Sequence, residues 1–481
     1  MPNDSTPPGG TNRWWPHIRG LLQSQTCAML IVLFGVLLRV WNIGTEFYQD
    51  ELFSVQAASA SLAHVLQVAQ EDSPHPPFHL VLLHLWMRLW GSSEVSARAL
   101  SVLASALFLP LLYRLALRWM CASAALIVLF LCAVSPFFVY YGQQARPYAL
   151  ATLLSTCSVY LWEKSQDEPA QRLYPILYGG SCAAVVYTQY MGVFILVPPL
   201  VAVAFAPSRA PRTLLLYGLG GMLAIIPWLL VVGGHLHPHA LDEKFGWIPR
   251  PTLFHLARFF VDILGPLPIR GSTSVFVLLS ALVISPISVK PGPSVRPPFV
   301  LLASLAFCGP IVAFLLSRSS PLSLWAARQL IGPALFFVVL LGFGLSRHRR
   351  WLGGLLASLL VLWAAAALAA ELPHQRHIPW RAIVHFVQQH CPDCDVVMEE
   401  ASWNFTDALR YYSHKDVHDA EAYTRRGDTT KPVAFLCRPV HCDRLHDIAS
   451  HRQLIASQRM HWKTQATPYT TMQIYLFAPS P

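Results

Sequence analysis

The chain is 481 residues long, with 54% hydrophobic and only 12% charged residues, where soluble domains carry roughly twice that charged share. That balance, with 15 Trp and 25 Phe, indicates a polytopic membrane protein and excludes an ordinary soluble globule. The formal net charge of +10 does not point to nucleic acid, because Lys and Arg fall in short clusters between apolar runs, the pattern of orientation signals rather than of a polyphosphate groove.

Residues 1–23 are polar and rich in Pro, Gly and Asn, with Arg13 and Arg19 ahead of the first apolar run, and are expected to form a disordered cytoplasmic tail. The run near Gln25 to Val40 has no small-residue cleavage pattern after it, so an uncleaved first span is expected rather than a signal peptide. Glu46, Asp50 and Glu51 follow directly, where the chain leaves the bilayer. Ionisable groups beside a membrane core are costly and are kept there for a task; the alternative is a loop whose acids sit in headgroup water.

The turn Ser73-Pro74-His75-Pro76-Pro77 precedes an apolar run, Phe78 to Gly91, interrupted by His79, His84 and Arg88. It is too short and too polar to cross a core of about 30 Å, and is expected as an interfacial helix within an exterior loop, residues 44–94. Further apolar runs lie near 95–117, 121–140, 147–162, 174–189, 190–206, 213–233, 272–289, 298–316, 329–346 and 351–370. With the first span they predict about eleven crossings.

Placing the amino terminus in the cytoplasm leaves Arg114, Arg118, Lys164, Arg172, Arg209, Arg212, Lys290, Arg296, Arg347, Arg349 and Arg350 on the cytoplasmic side, as orientation requires. An odd number of spans then puts residues 372–481 outside, after a membrane domain over 24–371. This tail loses the apolar runs and gains His, Asp, Arg and Gln. Its apolar residues recur at helical spacing from Trp380 to Val387, and Val396–Met398 and Pro432–Leu436 read as short buried strands, so a small α/β domain is expected.

Of ten cysteines, Cys391, Cys394, Cys437 and Cys442 lie in this tail. In an oxidising exterior disulfides are the first reading, with three connectivities open. A four-thiolate zinc site is the sharper alternative, but the Cys-x4-Cys half and the location weigh against it. No metal or other cofactor is indicated. His235, His237 and His239 form an alternating row, with Asp242 and Glu243 nearby, but Pro238 interrupts it and an exterior loop is favoured. Leu253 to Leu264, with His255, Arg258 and Asp262 between apolar positions, reads as an amphipathic surface helix.

The remaining exterior loops hold Ser135-Pro136-Phe137-Phe138-Val139-Tyr140-Tyr141-Gly142-Gln143-Gln144-Ala145-Arg146-Pro147-Tyr148, then Tyr187-Thr188-Gln189-Tyr190, and finally Arg318 and Arg328-Gln329. Arginines on the exterior face oppose the orientation rule. A phosphate is one reason to keep them, since a guanidinium meets its oxygens with two parallel hydrogen bonds; pairing with acids or lipid headgroups is the other.

These features together, the Asp50-Glu51 pair, the His-Pro-Pro turn, Gly91-Ser92-Ser93-Glu94-Val95-Ser96-Ala97-Arg98 and Ser-Pro-Phe…Gln-Gln-Ala-Arg-Pro-Tyr, resemble the bacterial branch of the family 39 glycosyltransferases. That group has the GT-C fold and includes protein O-mannosyltransferases and the aminoarabinose transferases of lipid A. The resemblance runs from about Leu30 to Ser346 and is strongest over the first 150 residues; Trp380-Arg381 and Arg410-Tyr411-Tyr412 are similar more weakly. It implies Asp50 as catalytic base, with Glu51 second. By position it implies substrate contacts for His75, in the turn beneath the active-site cavity, and for Arg98 at the head of the second span. Tyr141, Gln144, Arg146, Tyr148, Tyr190 and Arg328 complete the expected substrate-binding set. The family commonly has Gln-Glu-Ala-Arg where this chain has Gln143-Gln144-Ala145-Arg146, so any charged or metal-binding role at Gln144 is in doubt, whereas Arg146 keeps its place.

Transfer from a polyprenyl-phosphate sugar needs a base for the acceptor hydroxyl and cations for the departing phosphate. One carboxylate suffices when the acceptor attacks the anomeric carbon from the face opposite the phosphate, giving inversion. The expectation is therefore a bacterial inner-membrane glycosyltransferase, working on the periplasmic or extracellular face on a lipid, glycan or protein acceptor. A flippase for lipid-linked sugars would want mid-span ionisable groups and pseudo-symmetric halves, and no repeat is evident. An inactive relative acting as a scaffold is the third reading, which Gln144 keeps open.

Overall fold

The computed structural model describes residues 14–72, 75–205, 212–234, 248–285, 298–371, 378–399, 403–426, 430–439, 442–450, 452–462 and 470–479. The histidine row at 235–239, Asp242 and Glu243, the orientation residues Arg209, Lys290 and Arg296, and most of the amino-terminal tail lie outside the described residues. The chain divides into two units, one made of residues 1–41, 69–79 and 101–368 and the other of residues 42–68, 80–100 and 369–481. The tail is thus not a unit by itself; it shares one with two segments of the first exterior loop.

Among the described residues, six helices have the length and apolar composition to cross a membrane: Gln23–Val40, Glu94–Ala116, Arg212–Gly233, Phe299–Ser319, Ala327–Leu345 and Arg350–Glu371. A bent pair, Ala122–Val134 and Pro136–Gln143, makes a seventh when taken as one span. Other expected spans are present as shorter or more polar helices, Tyr148–Asp167, Leu173–Thr188, Val193–Phe205 and Ser272–Ile284. The last two border residues outside the described set.

The first unit is built around the helix Ile331–Leu345, in which all 15 residues are buried. It packs against the helices Pro298–Ser319, Ala122–Val134, Ser272–Ile284 and Tyr148–Asp167. A helix that is apolar all round suits a core or a membrane span; here its neighbours enclose it, and its glycines let them close in. A Cβ on Gly342 would fall 2.1 Å from Val128 Cγ2.

Bending of the Ala122–Gln143 pair by 55° is written in Ser135-Pro136. Pro136 has no N–H to continue the preceding helix, and Ser135 caps the next one through its Oγ, which accepts from Phe138 N at 3.2 Å. The carbonyls left open at the break are taken by Arg39 of the first span, fully buried, which donates to Ala133 O at 2.9 Å and Cys132 O at 3.1 Å. The amphipathic helix Leu253–Leu264 lies where the sequence places it, with Leu253 and Phe254 exposed and Phe259, Val261, Ile263 and Leu264 buried.

In the second unit, the carboxyl-terminal segment forms a five-stranded sheet from β1 (Asp395–Met398), β2 (Val417–Asp419), β3 (Val433–Cys437), β4 (Arg452–Trp462) and β5 (Thr470–Pro479), in the order β2-β1-β3-β5-β4. β1 lies parallel to β2 and β3, while β5 runs antiparallel to β3 and β4. Every residue of β3 is buried, as the continuous apolar run from Val433 requires of a central strand. Val397, Phe435, Ile448 and Phe477 pack in its core. The disulfides are Cys391–Cys394 and Cys437–Cys442, which settles the open connectivity in favour of the two local pairs.

The same unit holds three short helices from residues 44–94, Gln49–Ser59, the start of Leu62–Asp72 and most of Phe78–Trp90. The third, at 13 residues, is a helix where the sequence places one. The first two are 11 residues each.

Candidate active site

In the second unit, the helix Gln49–Ser59 carries the acidic pair in its first turn. Glu51 stands three residues after the cap residue Tyr48, and its Oε2 accepts from Tyr48 N at 2.9 Å. Both of its oxygens also meet Arg98, with Nε to Oε1 and Nη2 to Oε2 each at 2.8 Å. Glu51 is 0% and Arg98 2% exposed. Arg98 places its remaining N–H groups on Ile43 O, Thr45 O and Glu46 O. The five donors of this guanidinium are thus all used inside the protein, and both residues are claimed by the fold. That differs from the sequence expectation of a second base at Glu51 and a substrate contact at Arg98. A carboxylate and an arginine at the mouth of two spans read alike as site or as clasp until their partners are seen.

Asp50, one residue earlier, is half-buried and points from the first turn of the helix, where negative charge is favoured. Glu51, not Asp50, performs the capping, so the helix does not need Asp50 to form.

In the first unit, a second constellation gathers around His75. Its imidazole is buried and meets the Tyr148 ring edge-on at 6.3 Å between centroids, and Tyr148 meets Tyr141 at 4.9 Å. Burial first, then the positive charges of Arg146, Arg328 and His79, hold the His75 pKa well below the ordinary value. His79 is lowered to about 3, by burial and then by Arg146. Both imidazoles are therefore neutral near neutral pH. Among the described residues, His75 Nδ1, His79 Nε2 and the Tyr148 hydroxyl are buried without a protein hydrogen-bond partner, so each is a group that a water, an ion or a ligand can satisfy.

The local chain explains how these side chains come together. After the short helix Pro136–Gln143, the backbone turns at Gln144, whose carbonyl accepts from Arg146 N at 2.7 Å, and Pro147 starts the helix Tyr148–Asp167. Gln144 and Arg146 are buried in that turn. Arg328 lies in the turn Ala327–Leu330, which Gln189 holds by donating to Gln329 O at 2.8 Å and Gln329 Oε1 at 2.7 Å. The neighbouring turn Tyr190–Gly192 packs on it, with the Tyr190 hydroxyl accepting from Trp228 Nε1 at 3.0 Å.

Two groups that sequence reasoning passed over belong here. His79 lies in the first turn of the helix Phe78–Trp90, directly after the His75-Pro76-Pro77 turn, and that nearness was the available signal. Gln189 gave no signal of its own, since its role depends on a segment 140 residues away. Two guanidiniums with neutral imidazole and phenol donors form a set that can receive phosphate oxygens. Among the described residues no three His, Cys, Asp or Glu side chains gather as a metal-ligand group.

The low His79 pKa has a consequence for stability. Unfolded, the imidazole takes up a proton below about 6.5; folded, it resists down to about 3. The unfolded state therefore binds more protons across that window, and stability falls as the pH drops through it, by at most about 1.4 kcal/mol per pH unit for this group. The thermal midpoint of the detergent-solubilised protein is expected to fall between neutral pH and about pH 5. His79→Leu should flatten that dependence, and an equal fall in the variant would contradict the assignment.

The helical membrane unit with its guanidinium pair is similar over part of its length to a family of membrane mannosyltransferases, and in fold to solved glycosyltransferases. Residues 74–231 match the family model described as dolichyl-phosphate-mannose-protein mannosyltransferase. The match takes in His75, Arg146, Tyr148 and Tyr190 and leaves out Asp50 and Arg328. Among solved structures, ArnT from Cupriavidus metallidurans bound to undecaprenyl phosphate is similar with a TM-score of 0.58 at 13% identity, covering 94% of this chain and 97% of that one. At that identity the likeness establishes the fold. The apo form of the same ArnT gives a TM-score of 0.43 at 14% identity, over 95% of this chain and 98% of that one. The Archaeoglobus fulgidus oligosaccharyltransferase in complex with zinc and sulfate gives 0.48 at 12% identity, over 94% and 73%. No curated protein matches the chain in sequence.

Proposed function

We propose that this protein transfers a sugar from a polyprenyl-phosphate donor to a lipid, glycan or protein acceptor, with inversion, on the exterior face of a bacterial inner membrane. The observation that carries the reading is the cationic cluster of the first unit, where buried Arg146 and half-buried Arg328 both act on buried His75. Undecaprenyl phosphate in the ArnT structure supports a lipid phosphate as the ligand of that cluster. The exterior setting follows from the arginine and lysine bookkeeping of the loops.

Asp50 takes the proton of the acceptor hydroxyl as its oxygen bonds to the anomeric carbon. The bond from that carbon to the phosphate oxygen breaks, and the polyprenyl phosphate leaves with the electron pair. Arg146 and Arg328 stabilise the charge gathering on it, in a partly dry setting where such stabilisation is large. His75, His79 and Tyr148 offer neutral donors to the same oxygens. The apolar helices accommodate the isoprenoid tail from the membrane, and the reading calls on no metal or cofactor.

A panel of radiolabelled undecaprenyl-phosphate sugars, including mannose, galactose and aminoarabinose, tests this in proteoliposomes. One donor should turn over. Arg328→Ala should weaken undecaprenyl phosphate binding by roughly ten- to a hundredfold, the worth of a hydrogen bond to a charged group. Labelled lipid that crosses the bilayer with its sugar still attached would replace this reading with a flippase.

A further inference from the structure

The segment that delivers Asp50 is held by a succession of backbone ties within the second unit. Arg98 takes the carbonyls of Ile43, Thr45 and Glu46, and Glu51 takes the N–H of Tyr48. Between these, the N–H of Phe47 donates to the phenol oxygen of Tyr412 at 2.7 Å. Tyr412 belongs to the helix Trp403–Ser413 of the carboxyl-terminal segment, 365 residues further along the chain. Its own hydroxyl donates to Glu94 Oε1 at 3.2 Å, and Arg381 pairs with that oxygen and lies 5.4 Å from the centre of the Tyr412 ring. The Phe47 side chain is fully buried, with the Arg98 guanidinium 5.3 Å from its ring centre and the Tyr411 ring at 6.1 Å.

We propose that Tyr412 is a positioning residue for Asp50: its phenol oxygen fixes the N–H of Phe47, one helical turn before the carboxylate, and Glu94 with Arg381 aims that oxygen. The proposal rests on the reading of Asp50 as base. Its physical content lies in direction. By giving its proton to Glu94, the Tyr412 hydroxyl turns an oxygen lone pair to Phe47. A phenylalanine at 412 keeps the ring and loses only that acceptor. Phe47 N is then left without its partner at the entry of the helix Gln49–Ser59, and the start of that helix is free to shift. Near-attack geometry is unforgiving, a displacement of about 1 Å costing on the order of a hundredfold in rate. The carboxyl-terminal segment therefore sets where the base stands, and anything that moves the helix Trp403–Ser413, an arriving acceptor included, reaches Asp50 through this tie.

The test uses the full-length protein in proteoliposomes with the undecaprenyl-phosphate sugar that the wild type turns over. Tyr412→Phe is expected to lower kcat by roughly ten- to a hundredfold, with the donor KM and undecaprenyl phosphate affinity unchanged. Deuterium uptake over residues 44–53 should rise, and the thermal midpoint should match the parent. In an Asp50→Asn background, Tyr412→Phe should cost nothing further, because a residue acting through Asp50 has nothing left to act on. Glu94→Gln, which keeps an acceptor for the phenol but loses the ion pair, should give an intermediate kcat.

Unchanged deuterium uptake in Tyr412→Phe would overturn the tie, and raised uptake with undiminished turnover would overturn its importance for rate. Losses that multiply in the double variant would assign Tyr412 a role independent of Asp50. A wild-type protein that turns over no donor would remove the base reading and this proposal with it, while the exchange data would still report on the Phe47 contact by itself.

Discussion

Asp50→Asn is expected to lower sugar transfer by about two to four orders of magnitude, the range that a positioned general base contributes. The substitution changes one atom's charge and protonation and almost nothing in volume. Three features argue that the loss will be chemical rather than structural. Glu51, not Asp50, closes the capping box of the helix Gln49–Ser59. The buried ion pair of the segment is Glu51 with Arg98. Arg146 and Arg328, the cations around His75, belong to other elements altogether. Undecaprenyl phosphate should accordingly bind Asp50→Asn as it binds the parent, and thermal midpoints should agree. Turnover at the parental rate in Asp50→Asn would show that the base lies elsewhere.

The largest effect on stability is expected at Arg98. Arg98→Leu strands the Glu51 carboxylate, which is 0% exposed, and strips the donor from three backbone carbonyls within four residues, those of Ile43, Thr45 and Glu46. Removing one partner of a buried pair costs about 3–5 kcal/mol, a large part of the stability of most domains. Thermal unfolding in detergent and protease sensitivity at 42–48 are the direct measurements. Arg98→Lys restores the charge without the planar fork and should recover only part of the loss. Glu51→Gln combined with Arg98→Met should be milder than Arg98→Leu alone, because no charge is then left buried by itself. An unchanged midpoint in Arg98→Leu would mean that the clasp does not hold the segment.

These two neighbours show what the sequence could and could not disclose. Asp50 and Glu51 are both acids after the first span, and no pattern in the chain separates them; the distinction comes from Arg98, 47 residues on, whose fork selects one of the two. The class of the fold, in contrast, was plain in the apolar runs, and the Phe78–Trp90 helix, the amphipathic Leu253–Leu264 helix and strands β1 and β3 lie where local periodicity puts them. β5 offered a signal that went unused: Met472, Ile474 and Leu476 alternate, and all three are buried. β4, exposing Leu454 and Ile455 at the sheet edge, offered none. The guanidinium cluster was half legible. Arg146 and Arg328 stood out by opposing the charge rule, whereas the Gln189–Gln329 contact that places Arg328 exists only in three dimensions.

Arg39 carries a consequence for how the protein is made. Its guanidinium ends on Ala133 O, 94 residues further along the chain. At the usual pace of synthesis, roughly 5–20 residues per second, the first span leaves the ribosome on the order of 5–20 seconds before the carbonyls that will receive it. Arg39 stands one residue from the end of the span Gln23–Val40, where a long side chain reaches headgroup water, and water can hold it during that interval. The kink at Ser135-Pro136 then supplies carbonyls that replace that water, so the break in one helix completes the packing of another.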